Sequence, residues 1–271
     1  LLGPSGCGKT TTLRTITGFV NPVSGNVFMN GKDITKVPIE KRNIGIVFQS
    51  YALFPTMTVF DNIAYGLKIK KLSKSDIREK VTNIAEKVNL TDEQLEKAVS
   101  QLSGGQQQRV AIARSLVMEP DVICLDEPLS NLDAKLRVQL REELKNMQRD
   151  FGITSIYVTH DQEEALTLSD RIAVFNEGNI DQIGTPDEVY NHPKTEFVCN
   201  FIGDINRIEK PIYSKIPGLD DSCNHYIRLE RIKVGKAAKS GDAEFSGIVG
   251  DLEYFGLYTK YSIECCGQIL K

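Results

Sequence analysis

GPSGCGKTT, Gly3 to Thr11, is the stretch whose reading decides the fold. It matches the pattern G-x-x-x-x-G-K-[ST] in full. Its glycines let successive backbone N–H groups converge on one concavity, and the helix that follows presents its positive end there. Such a loop grips phosphates. Lys9 would reach the β- and γ-phosphates, and the Thr10 hydroxyl would ligate Mg²⁺. Gly3, Pro4, Ser5, Gly6, Cys7, Gly8, Lys9, Thr10 and Thr11 are therefore the candidate nucleotide-binding residues. The loop alone does not separate a kinase, a GTPase, a helicase and a transport motor.

Working outward, the loop leads into a helix predicted over Lys9 to Thr17, with Leu13 and Ile16 facing the core and Gly18 as its stop. Short strands are predicted near Val27–Met29 and Ile44–Phe48. A polar helical pattern runs from Ser73 to about Val99, with Ile77, Val81, Ile84 and Val88 as core positions. Val122–Leu125 and Ile153–Val158 read as buried parallel strands. Leu132, Leu136, Leu140, Leu144 and Met147 recur on one helical face. Arg171–Phe175 and Ile180–Ile183, joined by Asn176-Glu177-Gly178-Asn179, read as a hairpin. Strands alternating with helices imply an α/β core. After about Gly203 helix signals fade, and Ser246–Val249 and Tyr258–Glu264 look like strands. Two domains are expected, 1–203 and a β-rich 204–271, with a helical subdomain at about 50–118. The opening at Leu1-Leu2 without Met suggests a missing first strand, and the stop inside a strand-like stretch at Lys271 suggests an incomplete second module.

Asp126 ends a buried strand, where a carboxylate is costly unless paired or bound to metal. In a protein with this loop, the strand-end Asp holds Mg²⁺. Glu127 follows directly and is the candidate base that polarises the attacking water.

A second anion grip lies in LSGGQQQRV, Leu102 to Val110. Ser103 is a candidate N-cap, and the two glycines leave N–H groups bare at a helix start. The first loop already surrounds the phosphates on its own side, so this one is useful for a different nucleotide or for the far face of the same one.

With GPSGCGKTT, Gln49, LSGGQQQR, VICLDEP, LSNLDA and VTHD in this order, the chain resembles the nucleotide-binding domain of an ABC ATPase, a P-loop NTPase fold. The resemblance implies ATP and Mg²⁺, and two copies packed head to tail. Ser103, Gly104, Gly105 and Gln106 would close over the partner copy's ATP. Gln49 would contact Mg²⁺ or the attacking water, Asp133 would sit in the loop crossing the dimer interface, and His160 would touch the γ-phosphate. The family's adenine-stacking aromatic lies upstream of the phosphate loop, outside this sequence.

QSYALFPTMTVFDNIAYGL, Gln49 to Leu67, resembles the segment that importer ATPases present to a cytoplasmic permease helix. Leu53, Phe54, Met57, Val59 and Phe60 would then form a groove for that helix. FIGDINRI, HYIRLERIKV and FSGIVGDLEYFGLYTKY resemble the small OB-like β-barrel of one importer subfamily, whose members serve spermidine/putrescine, maltose, ferric iron, sulfate and 2-aminoethylphosphonate. The last stretch is nearest the polyamine group, although Arg228-Leu229-Glu230 stands where that group has Arg-Pro-Glu. The implied protein is a motor on the cytoplasmic face of the membrane, working with permease subunits and, through them, an extracellular solute-binding protein.

The composition agrees. With 41% hydrophobic and 25% charged residues the chain reads as globular, and a net charge of -3 offers no general attraction for nucleic acid. No apolar run approaches the roughly 18 residues of a membrane helix, and no stretch reads as a signal peptide, so none is expected. Cys7, Cys124, Cys199, Cys223, Cys265 and Cys266 have no metal-ligand spacing and read as free thiols. The interval between Gln49 and Ser103 is too short for the coiled-coil insertion of a DNA-repair ABC protein. One set of motifs argues against a tandem translation-type protein.

Overall fold

A computed structural model describes residues 1–233, 235 and 243–271. The chain divides into two compact units, Leu1–Val189 and Tyr190–Lys271.

In the first unit, α1 (Lys9–Thr17) springs from the phosphate loop and ends at the left-handed Gly18. Leu13 is fully buried, but Ile16 is only half-buried. Thr17, one turn beyond Leu13 on the same face, takes the inner place and donates its hydroxyl to the Leu13 carbonyl at 2.9 Å. β1 (Phe28–Met29) and β2 (Lys32–Asp33) form a hairpin about left-handed Asn30 and Gly31. Then come β3 (Ile44–Val47), α2 (Val59–Ile69), α3 (Lys74–Lys87), α4 (Asp92–Leu95), α5 (Gly104–Leu116) and β4 (Val122–Asp126). They are followed by α6 (Ala134–Phe151), β5 (Thr154–Val158), α7 (Gln162–Leu168), β6 (Ile172–Asn176) and β7 (Asn179–Gly184).

β3, β4 and β5 form a parallel sheet in that order, with Val47 opposite Leu125 and Asp126 opposite Val158. Leu2 bridges in parallel to both Thr159 and Val174, so the phosphate loop rises between the ends of β5 and β6. β4 is buried on both faces. Ile123 and Leu125 enter the core shared with the helices, while Cys124 packs with Leu13 and Val158. This is why its sequence is a continuous apolar run rather than an alternating one. Burial also pushes the Cys124 thiol up to about 12, which keeps it an inert packing group. The predicted hairpin is β6–β7, turning on left-handed Glu177 and Gly178.

The helical segment differs from the sequence reading in two places. The pattern from Ser73 to Val99 is not one helix. Left-handed Asn89 ends α3, and Thr91 caps α4 by accepting from Gln94 N. The stretch after Gln49 contains α2, begun by Thr58, whose hydroxyl accepts from Asp61 N at 3.0 Å. Val59, Ile63, Ala64 and Leu67 form its buried face. Of the five apolar residues expected to line a groove, Val59 is therefore core, and Leu53 and Phe60 pack against it. Phe54 and Met57 stay part-exposed, Phe54 against the Tyr65 ring at 4.5 Å.

The second unit holds α8's last residues (Pro186–Asn191), α9 (Glu196–Phe201), β8 (Ile205–Ile208), α10 (Lys210–Tyr213) and β9 (His225–Arg228). β10 (Ile248–Tyr254), β11 (Thr259–Cys265) and β12 (Gln268–Leu270) complete it. β8 pairs with β9, and β10–β11–β12 form a three-stranded antiparallel sheet. The expected β-rich texture is present as these two small sheets. The last residue of HYIRLERIKV, Val234, lies outside the described residues. The unit begins fourteen residues before 204. The reason is Arg228, whose buried guanidinium donates to the carbonyls of Tyr190, Cys199 and Ile202 and so ties the short α9 segment to β9. Tyr190 also donates its hydroxyl to Glu230 at 2.8 Å. The Arg and Glu of Arg228-Leu229-Glu230 thus have structural partners within this unit.

Candidate nucleotide site

The phosphate loop is held in shape by its own lysine. Lys9 is buried and donates Nζ to the carbonyls of Gly3 and Pro4, both at 2.8 Å. Gly6 and Gly8 adopt φ of 81° and 98°, the left-handed region that costs glycine little. Gly3 is needed for a different reason. A Cβ there would collide with the Phe175 carbonyl oxygen of β6.

Thr10 donates its hydroxyl to Asp126 Oδ1 at 3.0 Å. Asp126 is buried, and burial raises its carboxyl above the ordinary carboxylate range, with Glu127 adding repulsion and the Thr10 bond opposing both. A buried carboxylate beside a hydroxyl, in no salt bridge among the described residues, is a donor set that suits Mg²⁺.

Glu127 has a left-handed φ of 46° and donates its N–H to the Val158 carbonyl at 3.0 Å. That turns its side chain out of the strand direction, and Glu127 Oε2 lies 3.2 Å from His160 Nδ1. The His160 side chain is 58% exposed and that of Glu127 22%, so the imidazole is open to solvent and the carboxylate is partly so. Gln49 follows β3, the strand beside β4, and is exposed. Its carbonyl accepts from Asn131 Nδ2 at 2.8 Å. Asn131 belongs to the same LSNLDA loop as Asp133, and its tie to Gln49 is a contact that sequence reasoning missed. The Asn in that motif is its only sequence trace.

The structure therefore gathers Lys9, Thr10, Asp126, Glu127 and His160 at adjacent strand ends. It does not gather the signature turn with them. Among the described residues, no hydrogen bond joins Ser103–Gln106 to Gly3–Thr11. Ser103 caps α5, accepting from Gln106 N at 3.4 Å, and Gln106 Oε1 accepts from Ser103 N at 3.0 Å. Ser103 and Gly104 are exposed. The glycines also serve packing, which the anion-grip reading did not foresee. A Cβ at Gly104 would meet Leu132 Cδ2 at 3.1 Å, and one at Gly105 would meet Leu136 and Leu140 methyls at 3.2 Å. Asp133 is the N-cap of α6, its Oδ1 accepting from Leu136 N at 3.0 Å.

Residues 1–130 match the family model described as ABC transporter. An uncharacterized ABC transporter ATP-binding protein of Sinorhizobium fredii is 46% identical over 270 residues, spanning 100% of this chain and 78% of that protein. The chain belongs to the ABC transporter ATP-binding proteins. Within that class it is similar to the spermidine/putrescine import ATP-binding protein PotA of Spiroplasma citri, 56% identical over 282 residues, with 98% of this chain and 79% of that protein covered. The PotA of Acetivibrio thermocellus is also 56% identical, over 209 residues, and there the chain spans 77% of itself but 59% of the relative. Among solved structures, cbiO1 of Clostridium perfringens, part of the ABC transporter complex cbiONQ, matches with a TM-score of 0.65 at 36% identity, covering 70% of this chain and 78% of that one. A dimeric post-hydrolysis ATP-binding cassette bound to ADP and Pi matches at 0.60 and 31% identity, over 68% and 83% of the two chains.

Proposed function

We propose that the protein is the ATP-hydrolysing motor subunit of an ABC importer, and that the imported solute is a polyamine of the spermidine/putrescine kind. One observation carries the enzymatic part. Glu127 and His160 meet at 3.2 Å beside the Thr10–Asp126 pair, at the ends of strands held in one parallel sheet. A carboxylate activator, an imidazole, a metal-binding pair and a phosphate loop so arranged suit water attack on a γ-phosphate. The polyamine part is supported by the relatives of that name and by the C-terminal stretch.

In this reading Gly3–Thr11 bind the ATP phosphates, with Lys9 released from the loop carbonyls to the β- and γ-phosphates. Thr10 and Asp126 hold Mg²⁺, which supplies charge neutralisation at the phosphate oxygens. Gln49 contributes to the same site. Glu127 orients and deprotonates the attacking water, and His160 holds the γ-phosphate. Ser103 and Gly104 are exposed at the start of α5, and among the described residues no hydrogen bond ties Ser103, Gly104, Gly105 or Gln106 to the chain's own phosphate loop, which favours use of this turn on the ATP of a second copy. Asp133 crosses that interface. The remaining partners are permease subunits at the cytoplasmic face of the membrane, served by an extracellular solute-binding protein. Residues 204–271 form a regulatory module.

Uptake tests this directly. The gene is deleted in its host and restored with full-length protein or with Lys9→Ala. Labelled spermidine, putrescine, 2-aminoethylphosphonate and ferric iron are followed. Polyamine uptake that falls and returns only with intact Lys9 supports the proposal. Loss of one of the other solutes instead keeps the motor role and replaces the substrate. No change in any of them overturns the importer reading.

A further inference from the structure

The sequence THDQEEA places three acidic residues after His160, and the fold turns the last of them inward. Glu164, on α7, is buried although it is a carboxylate. One of its oxygens, Oε2, accepts from Thr159 Oγ1 at 2.7 Å and from the Tyr157 hydroxyl at 3.0 Å. Thr159 Oγ1 in turn accepts from Asp161 N at 2.9 Å, and Asp161 Oδ1 accepts from Glu164 N at 3.1 Å. The residues on both sides of His160 are thus pinned from inside by one closed set of bonds. Among the described residues, the hydrogen bonds of the Glu164 side chain go to Tyr157 and Thr159 and not to Glu127 or the phosphate loop. Burying a carboxylate is costly, and packing alone would be met as well by a leucine. What a carboxylate oxygen adds here is a single point that fixes the last turn of the strand bearing the imidazole.

We propose that Glu164 is a positioning residue for ATP hydrolysis, holding the Thr159–Asp161 turn so that His160 keeps its 3.2 Å approach to Glu127. This rests on the reading of His160 as the γ-phosphate contact. The Thr159 and Tyr157 hydroxyls both donate to Oε2, so an amide oxygen can replace it and a methyl group cannot. Glu164→Ala therefore frees the turn, and Glu164→Gln largely preserves it. Arg137, 3.6 Å from Asp161, and Arg141, 3.5 Å from Glu163, come from α6 and steady the exposed side of the same turn.

The test is a set of five full-length proteins: wild type, Glu164→Ala, Glu164→Gln, His160→Ala and the double variant Glu164→Ala/His160→Ala. Phosphate release is measured at saturating and limiting ATP. Expected for Glu164→Ala is a kcat lowered between about tenfold and about a hundredfold, the cost of a misplaced reacting group. KM stays within about twofold and Glu164→Gln recovers most of the rate. In the His160→Ala background, Glu164→Ala has almost no further effect. The imidazole NMR signals of His160 shift in Glu164→Ala while those of His192 and His225 stay, which separates local repositioning from unfolding. A near-native kcat for Glu164→Ala, a full further loss in the double variant, or movement of all three imidazoles overturns the proposal while leaving His160 in its role. Near-native hydrolysis by His160→Ala overturns the role of His160, and the proposal falls with it.

Discussion

His160 Nδ1 and Glu127 Oε2 lie 3.2 Å apart, although one follows β5 and the other follows β4. The parallel register places Asp126 opposite Val158, and the left-handed Glu127 continues the ladder by donating to the Val158 carbonyl. The contact is therefore a product of strand register and of one unusual backbone angle. It puts the candidate base and the candidate γ-phosphate contact within a hydrogen bond of each other.

Glu127→Gln tests the base. The amide keeps the shape but has no proton to take. Turnover should fall by about 10²–10⁴-fold, the usual contribution of such a group. ATP affinity should be unchanged, because Lys9 and the loop N–H groups are untouched. Phosphate release and nucleotide binding are measured together, and hydrolysis that stays within about threefold of wild type would remove Glu127 from its role.

Asp126→Asn tests the candidate metal carboxylate through pH. Burial raises the Asp126 carboxyl above its ordinary 3.8. The folded state therefore holds that proton more tightly than the unfolded chain. Wild-type stability falls relative to the variant as pH rises from the unfolded value through the raised native one. Without nucleotide, the variant should melt higher than wild type at neutral pH and gain nothing at strongly acidic pH. With Mg²⁺ and ATP the order should reverse if Asp126 holds the metal, since ligand binding to the folded state then stabilises wild type alone. Parallel thermal melts with the same difference at every pH would show that Asp126 carries no burial strain.

Ser103→Arg separates the two anion grips. The exposed turn would receive a bulky cation and lose the α5 N-cap, a change of about 1 kcal/mol in stability. Hydrolysis should be blocked while ATP binding to the isolated monomer stays near native. Loss of monomer binding would place Ser103 on the chain's own nucleotide.

Gly3→Ala and Gly6→Ala should fail for different reasons. At Gly3 the added methyl meets the backbone carbonyl of Phe175, which cannot rotate away. A cost of about 1–3 kcal/mol is expected, with loss of ATP binding as the loop lifts from β6. At Gly6 nothing lies in the way, but φ is 81°. The left-handed angle alone should cost about 1–2 kcal/mol. Chemical denaturation of the two variants gives the comparison, and a Gly3→Ala protein as stable as wild type would contradict the contact.

Much of the site was legible because it is local. The phosphate loop, the Ser103 N-cap and the helix face of Leu140, Leu144 and Met147 depend on neighbours within one or two turns of chain. α2 was missed because its apolar face lies in a segment whose resemblance suggested an exposed groove, and Thr58 was not read as a cap. The pattern from Ser73 was read as too long because left-handed Asn89 carries no hydrophobic signal.

The sequence by itself determined which chemistry is present: a phosphate loop, a strand-end Asp-Glu pair, a second glycine turn and a histidine after a buried strand. These follow from backbone stereochemistry and from the period of apolar residues, both local properties. Only the tertiary structure decided what they meet. Asn131 reaches the Gln49 carbonyl, Leu136 and Leu140 close on Gly105, Glu164 holds the residues beside His160, and Arg228 gathers the carbonyls of Tyr190, Cys199 and Ile202. Each of these depends on strand register or helix packing across long stretches of chain. No pattern of neighbouring residues encodes such a pairing, because its energy exists only when distant segments are brought within contact distance.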